Sequence, residues 1–289
     1  MDLCNINEIR DLLERHGFHF SKAKGQNFLI KDWVPKEIVL QSGITKDSGV
    51  LEIGPGIGPL TKELCASAGK VLAVEIDESL RPILKETLAG AENLEILFGD
   101  ILKQNIPALV QEKFPGLKPA ACANLPYYIT TPILTALLES DAFSSVTVMV
   151  QKEVAKRICA DPGSSDYGAF SIFCQYYAKT DFLFEVPASC FIPQPKVTSA
   201  VVKLTLRPHP DCKPKNPEFF FRTVHASFSV RRKTLLNGLK IGFPVLSKEE
   251  LSDLLLSLGM EPNVRGETLG LPEFARLSDK LEEKLQEKS

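Results

Sequence analysis

Short apolar runs alternate with segments of helix length over the first two-thirds of the chain, and this alternation constrains the fold more than any other feature. Runs of this length and composition are typical of buried strands. Alternation with helices requires right-handed crossovers, which place successive strands parallel in one sheet. The sequence therefore predicts an α/β fold with a mostly parallel sheet. The predicted strands are 50–53, 71–76, 94–98, 120–123 and 146–150.

The pattern changes near the end of this region. Two further apolar runs, Phe182–Val186 and Ala200–Leu206, have no helix-length segment between them, so we expect an antiparallel pair at one edge of the sheet. The proline-rich stretch 208–217 predicts a linker. We expect two domains, an α/β domain over 1–207 and a small helical domain over 208–289. Helices are predicted at 218–229, 231–239 and 248–258.

Composition excludes several classes of protein. No apolar run approaches the roughly 20 residues needed to cross a bilayer, and the first residues carry charges within a helical pattern, unlike a signal peptide. We therefore expect a cytoplasmic protein without a membrane partner. The seven cysteines and four histidines show no metal-ligand spacing, so no metal is expected.

Charge is distributed unevenly along the chain. The net charge is −2, which by itself argues against nucleic-acid binding. Between Lys196 and Lys240, however, ten Lys or Arg residues stand against two acids. Such a region is a candidate surface for phosphates, although basic residues that merely solvate helix faces would give the same count.

A glycine-rich loop follows the first predicted strand. Gly54 and Gly56 stand in the stretch EIGPGIGPLT, where glycines let the backbone approach a ligand closely. A dinucleotide-binding loop needs a third small residue five positions after the first, and Pro59 occupies that position. An acid two residues before Gly54 suits S-adenosylmethionine better.

One acid ends the second predicted strand, and another follows the third. Glu75 lies 21 residues after Gly54, where a carboxylate can accept hydrogen bonds from both hydroxyls of a ribose. Asp100 is placed to accept from the amine of the cofactor's adenine. Either acid alone could instead cap the helix that follows it. Ile76 and Ile101, which directly follow the two acids, complete the cofactor-binding set expected at these strand ends.

The fourth strand ends in Asn124-Leu125-Pro126-Tyr127, the most informative stretch of the chain. The exocyclic N6 of adenine is a poor nucleophile because its lone pair is delocalised into the ring. The Asn124 side-chain oxygen and the Leu125 carbonyl would hold this amine with its lone pair localised, and Pro126 would stiffen the turn. Tyr127 would stack on an extruded base. An ordinary proline turn is the alternative.

Together these stretches resemble the KsgA-type rRNA adenine N6,N6-dimethyltransferases, which act on small-subunit rRNA. The resemblance covers nearly the whole chain. It rests on GQNFL at 25–29, EIGPGIGPLT at 52–61, VLAVEID at 71–77, GD at 99–100, NLPYYITTP at 124–132, FIPQPKVTSAV at 191–201 and FSVRRKTL at 228–235.

The resemblance implies a Rossmann-like class I methyltransferase sheet with a C-terminal helical rRNA-binding domain. It implies S-adenosylmethionine as cofactor and S-adenosylhomocysteine as product. Asn27 and Leu29 would close over the methionine end of the cofactor, and Asn124 would contact both cofactor and target. Phe191 would be the second aromatic face against the target adenine. The resemblance further implies that the stretch Arg231, Arg232 and Lys233 binds rRNA.

The substrate expected from the resemblance is 16S rRNA in an immature small ribosomal subunit, with two adjacent adenosines near its 3′ end each receiving two methyl groups. We expect a monomer. One alternative is the related large-subunit methyltransferase that confers macrolide resistance. Another is a non-catalytic rRNA-binding assembly factor, against which the intact site residues count.

Overall fold

The structure, a computed structural model, describes residues 3–20, 25–207, 212–230 and 233–288. The strands are β1 (Phe28–Leu29), β2 (Ser48–Ile53), β3 (Lys70–Glu75), β4 (Leu94–Phe98), β5 (Lys118–Asn124), β6 (Ser145–Gln151), β7 (Ala178–Val186), β8 (Phe191–Ile192) and β9 (Ser199–Leu206). The helices are α1 (Ile6–Arg15), α2 (Trp33–Ser42), α3 (Pro59–Ser67), α4 (Arg81–Thr87), α5 (Ile106–Lys113), α6 (Thr130–Glu139), α7 (Lys152–Ile158), α8 (Ala169–Tyr177), α9 (Pro217–Phe228), α10 (Leu235–Gly242), α11 (Lys248–Ser257) and α12 (Leu271–Gln286).

Seven strands form one sheet in the order β4-β3-β2-β5-β6-β9-β7. The pairs β4–β3, β3–β2, β2–β5 and β5–β6 are parallel, and β9 runs antiparallel to β6. The predicted α/β fold with an antiparallel strand near one edge is therefore confirmed. Every residue of the central strand β2 is buried, as expected for a strand covered on both faces.

The order of the sheet reverses between β2 and β5. From β2 the chain moves outward to β3 and β4, and it then returns to the other side of β2 for β5. In open α/β sheets the crevice beyond the carboxyl ends of the strands at such a reversal is the usual ligand site. The fold therefore places the loops after β2, β3, β4 and β5 around one crevice.

The N-terminal helix α1 packs on the same unit as the sheet. Its residues Ile9, Leu12 and Leu13 belong to an apolar cluster that also contains residues of α4 such as Ile83. The Arg15 guanidinium forms an ion pair with Glu86 at 2.8 Å. These contacts hold α1 against α4.

The chain divides into two compact units that do not follow the boundary expected at residue 207. One unit comprises Met1–Ala155 and Thr180–Leu206, and the other comprises Lys156–Lys179 and Arg207–Ser289. Residues 156–179 join the helical unit because α8 contributes aromatic side chains to its core. The ring of Tyr176, for example, lies 5.4 Å from that of Phe220.

The helical unit differs from its predicted form in one helix and part of the linker. The expected helix at 231–239 begins only at Leu235, since Thr234 has an extended backbone and precedes the first turn. Residues 208–211 of the expected linker lie outside the described residues. Across the part of the chain that the structure describes, no helix is long and apolar enough to cross a membrane. None of the seven cysteines, all of which lie within the described residues, forms a disulfide bond.

Candidate active site

The carboxyl ends of β2, β3, β4 and β5 surround a single cavity of about 990 Å³, including its mouth toward solvent. A cavity of this size is typical of small-molecule and cofactor sites. Twelve of the site residues that the sequence suggested line it. They are Asn27, Leu29, Gly54, Gly56, Glu75, Ile76, Asp100, Ile101, Asn124, Leu125, Pro126 and Tyr127.

The glycine loop forms the floor of the cavity. Gly54 and Gly56 have φ values of +69° and +61°, a conformation that side-chain-bearing residues rarely adopt. A Cβ on Gly56 would also lie 3.0 Å from Cδ1 of Phe28. Both glycines therefore keep the backbone close to the cavity, where a bulkier residue would strain the loop and fill space.

Glu75 ends β3 with its carboxylate in the cavity wall. Its Oε1 accepts from the Asp77 N–H at 2.9 Å, and its Oε2 accepts from the Gly56 N–H at 3.3 Å. Burial raises the pKa of Glu75, and these backbone N–H groups oppose the shift. Each carboxylate oxygen has a further lone pair, so the group has capacity to accept from a ribose diol.

Asp100 follows β4 and serves as a cap. Its Oδ1 accepts from the Leu102 N–H at 3.0 Å, at the start of a short 3-10 helix over Ile101–Lys103. The capping alternative raised by the sequence thus describes a contact that is present. One accepted N–H leaves the carboxylate able to accept from an adenine amine as well.

Asn124 ends β5 and is oriented by the N-terminal segment. Its Nδ2 donates to the carbonyl oxygen of Asn27 at 3.3 Å. With the amide nitrogen engaged there, Oδ1 is the atom left to accept a hydrogen bond. The Asn27 side chain in turn donates to the Gly25 carbonyl at 3.1 Å.

The turn after Asn124 is held at three points. The Leu125 N–H donates to the Met149 carbonyl at 3.1 Å, which fixes the peptide next to Asn124. The Pro126 carbonyl accepts from the Thr130 hydroxyl at 3.1 Å. The Tyr127 hydroxyl lies 2.6 Å from the Ser199 hydroxyl at the start of β9. These contacts hold the backbone of the turn and the orientation of the Tyr127 ring.

Two residues that the sequence did not single out also shape the cavity. The Gln26 Nε2 donates to Oδ2 of Asp77 at 2.7 Å and so ties the N-terminal segment to the end of β3. Tyr128 is 59% exposed at the cavity wall and lies next to Gly25. Both residues belong to stretches that carry the resemblance, but only the folded chain brings Gln26 to Asp77, 51 positions away.

Phe191 is not among the residues that line the cavity. It is 3% exposed, pairs with Leu29 in the small sheet of β1 and β8, and belongs to an apolar cluster of the core. The structure therefore does not bring its ring face together with Tyr127. A stacking role for Phe191 against the target adenine stays a prediction.

The basic stretch suggested for RNA binding lies in the helical unit. Lys233 is exposed just before α10. Arg231 and Arg232 lie outside the described residues.

The groups around the cavity fit S-adenosylmethionine. Glu75 offers acceptors for a ribose, and the 52% exposed Ile76 next to it offers an apolar surface for an adenine ring. The glycine loop leaves room for the cofactor because Gly56 has no side chain. A Cβ at this position would crowd Phe28. Asn27 and Asn124 provide polar groups at the end where the methionine part would lie.

Comparisons with known proteins agree with this site. The family model described as ribosomal RNA adenine dimethylase matches residues 17–270. Ribosomal RNA small subunit methyltransferase A of Lachnoclostridium phytofermentans is 48% identical over 279 residues, covering 96% of each chain. The protein of the same name from Geobacillus thermodenitrificans is 45% identical over 284 residues, covering 97% of each chain.

Solved structures show the same relationship. A dimethyladenosine transferase from Plasmodium falciparum superposes with a TM-score of 0.75 at 27% identity, covering 89% of this chain and 98% of that one. The 23S rRNA methyltransferase ErmE has a TM-score of 0.69 at 26% identity, covering 89% of this chain and 100% of that one. By this family match, its near full-length relatives and a cavity suited to S-adenosylmethionine, the chain belongs to the ribosomal RNA adenine dimethylases, a family of S-adenosylmethionine-dependent methyltransferases.

Proposed function

We propose that this protein dimethylates N6 of two adjacent adenosines near the 3′ end of 16S rRNA in the immature small ribosomal subunit. The observation that carries the proposal is the orientation of Asn124. Its amide nitrogen is engaged by the Asn27 carbonyl, so its oxygen is the atom left to accept from an amine in the cavity. An acceptor at that point suits an exocyclic amine.

Asn124 and Leu125 act on the target amine. Two acceptors, the Asn124 Oδ1 and the Leu125 carbonyl, bind the two N–H groups of N6 and favour the geometry in which its lone pair is localised. Acceptors aimed at charge that develops in the transition state stabilise it without reorganisation. After the first methyl transfer one N–H remains, so a single acceptor holds the amine for the second.

Tyr127 positions the base. A target adenine must leave its stack to reach the cavity, and an aromatic face compensates for part of the lost stacking. The hydrogen bond between the Tyr127 and Ser199 hydroxyls holds the outer end of the ring in place. Tyr127 therefore acts through its ring rather than as a base, in keeping with a pKa that burial raises.

The cofactor, when bound, supplies an electrophilic methyl group on a sulfonium centre. Loss of the sulfonium charge favours transfer, so the amine needs no strong general base. The N6 proton leaves to solvent after the nitrogen has gained its methyl group. The residues at Glu75, Asp100, Asn27 and the glycine loop bind the cofactor and fix its position.

We propose small-subunit rRNA rather than large-subunit rRNA as the substrate, because relatives at 44–48% identity carry the name small subunit methyltransferase A. A large-subunit target is the alternative, favoured by the similarity to ErmE at 26% identity. Substrate specificity usually diverges between relatives well before fold does. The nearer relatives therefore weigh more.

We further propose that the two domains have different functions. Residues 1–155 and 180–206 form the cofactor-binding catalytic domain, and residues 156–179 and 207–289 form a helical domain that binds rRNA. Arg231, Arg232 and Lys233 of the helical domain contact phosphates. The protein acts as a monomer. Because its proposed substrate is a ribosomal precursor, we expect it in the cytoplasm.

Incubation with radiolabelled S-adenosylmethionine tests the proposal. Small and large subunits from cells that lack the modification serve as separate substrates, and the Asn124→Ala variant is the control for catalysis. Label in the small subunit alone supports the proposal, and label in the large subunit supports the alternative. Binding to small subunits with no label in either would indicate a non-catalytic assembly factor.

A further inference from the structure

A buried carboxyl group lies at the cavity beneath the glycine loop. Glu52 stands in β2 two residues before Gly54, is 1% exposed and lines the cavity. Its Oε2 has no hydrogen-bond partner among the residues that the structure describes. A buried carboxyl oxygen without a partner is costly unless the group is neutral or meets a ligand.

The surroundings of Glu52 disfavour a negative charge. Burial raises the pKa of Glu52 to about 8, and the carboxylate of Glu75 raises it as well. The Thr61 hydroxyl acts to lower the pKa of Glu52 and so opposes this rise. The Thr61 oxygen nevertheless makes no hydrogen bond within the described residues. The thiols of Cys65 and Cys122, on α3 and β5, also interact with Glu52. Burial raises the pKa of both thiols, and the charge of Glu52 raises them further.

We infer that Glu52 is a protonated acid in the free protein and that it gives up its proton when the positively charged methionine end of the cofactor enters the cavity. This inference rests on the proposed function, because it takes S-adenosylmethionine as the ligand. The O–H bond of the carboxyl breaks, the proton passes to the buffer, and the carboxylate pairs with the ammonium or sulfonium group. Cofactor binding and proton release are thereby coupled.

The coupling has a definite sign. A cation near Glu52 favours its ionised form, so affinity for S-adenosylmethionine rises with pH until the free protein has itself lost the proton. Affinity should increase by up to about tenfold per pH unit below pH 8 and level off above it. Glu75, whose pKa burial also raises, is the competing source of a proton.

Isothermal titration calorimetry in two buffers of different ionisation enthalpy measures the released protons. At pH 7 we expect the wild type to release about one proton more per bound S-adenosylmethionine than Glu52→Gln. Glutamine has the shape of the protonated acid, so the variant should fold. Taking the difference removes protons that the cofactor itself exchanges. Glu92→Gln, which alters an exposed carboxyl outside the cavity, should match the wild type.

S-adenosylhomocysteine separates the two cationic groups, since it keeps the ammonium and lacks the sulfonium. Release with both ligands identifies the ammonium as the partner, and release with S-adenosylmethionine alone identifies the sulfonium. Equal release by the wild type and Glu52→Gln, or a wild-type affinity that does not change between pH 6 and 8, would overturn the inference. Methyl transfer by the wild type would leave the proposed function standing in that case. A wild type that binds no cofactor would overturn both.

Discussion

The chemistry of the site depends on where a few polar atoms end up after folding. The Asn124 amide can present either its oxygen or its nitrogen to the cavity, and the Asn27 carbonyl decides between them by taking the nitrogen. Glu75 is held in the same way by two backbone N–H groups. Binding and catalysis therefore use side chains whose orientation the backbone has already fixed.

Replacing Asn124 by Ala removes one acceptor for the target amine. We expect methyl transfer to fall on the order of 100-fold or more, by analogy with loss of a transition-state hydrogen-bonding group. RNA binding should stay within a few-fold of wild type, since Asn124 contacts no phosphate in this scheme. Single-turnover rates and filter binding measure the two quantities, and near-normal transfer would refute the mechanism.

Glu75→Gln tests the ribose contact. The neutral amide keeps the shape of the side chain but loses a charge-assisted acceptor, so affinity for the cofactor should weaken by roughly 1.5–3 kcal/mol. Calorimetry at pH 8 gives the affinity directly. Unchanged binding would mean that Glu75 does not hold the ribose.

Glu52 also makes stability depend on pH. Its pKa is raised in the folded protein to about 8, so the folded state binds the proton more tightly than the unfolded state does. The stability contributed by this proton is present below the pKa of the unfolded chain and is lost as pH rises to 8. Glu52→Gln should therefore be more stable than wild type above pH 8, by a few kcal/mol in order of magnitude. Urea unfolding at pH 5 and pH 8.5 measures the difference, and a constant difference would contradict this expectation.

For individual residues, the sequence predicted which ones gather at the site, but it did not predict the hydrogen bonds between them. Glu75 and Asn124 end parallel strands and Asp100 follows one, and the carboxyl ends of such strands lie at one edge of a sheet. The contacts of Gln26 with Asp77 and of Asn124 with Asn27 join residues 51 and 97 positions apart, for which no local pattern exists. The burial of Phe191 could not be predicted either, because an aromatic residue in a turn-rich stretch can lie at the surface as well as in the core.

Among the elements, strands were easier to predict than helix ends and helix partners. A buried parallel strand leaves a continuous apolar run, as in β2, and this signal survives any arrangement of its neighbours. The start of α10 depends on the turn before it, so the expected start at 231 proved to be 235. The packing of α8 on α9 depends on rings such as Tyr176 and Phe220, whose helical spacing alone would suit several partners.

The close approach of α9 and α10 depends on Gly238. A Cβ at this position would lie 2.5 Å from the Ala226 carbonyl oxygen. Gly238→Ala should therefore destabilise the protein by about 1–3 kcal/mol, because the backbone must move to relieve the overlap. Gly168→Ala is the matched control, since a Cβ there meets no atom within 4 Å and the backbone is extended. Equal unfolding free energies for the two variants would show that the helices adjust without cost.

For the molecule as a whole, the distribution of charge along the chain bears more on RNA binding than the net charge does. The chain has a net charge of −2, yet its segment from Lys196 to Lys240 is strongly basic. Basic residues on α12 are paired with acids of the same helix, as Arg276 is with Glu273. Basic residues that are paired within their own helix are less available to bind phosphates.

Replacing Arg231, Arg232 and Lys233 together by Ala should lower RNA affinity and flatten its dependence on salt, because fewer counterions are released on binding. The control variant replaces three ion-paired basic residues of α12, Arg276, Lys280 and Lys284, and should change the salt slope less. Affinities measured between 50 and 200 mM salt, roughly the range over which phosphate contacts are screened, compare the variants. An unchanged slope for the first variant would remove this stretch from the proposed RNA surface.

Mass spectrometry of rRNA nucleosides after reaction with under-methylated small subunits tests the central claim most directly. Digestion and mapping should show N6,N6-dimethyladenosine at two adjacent positions near the 3′ end of 16S rRNA, and far less of it with Asn124→Ala after the same reaction time. Methyl groups on another atom or at other positions, or a small subunit that stays unmodified, would contradict the proposed function.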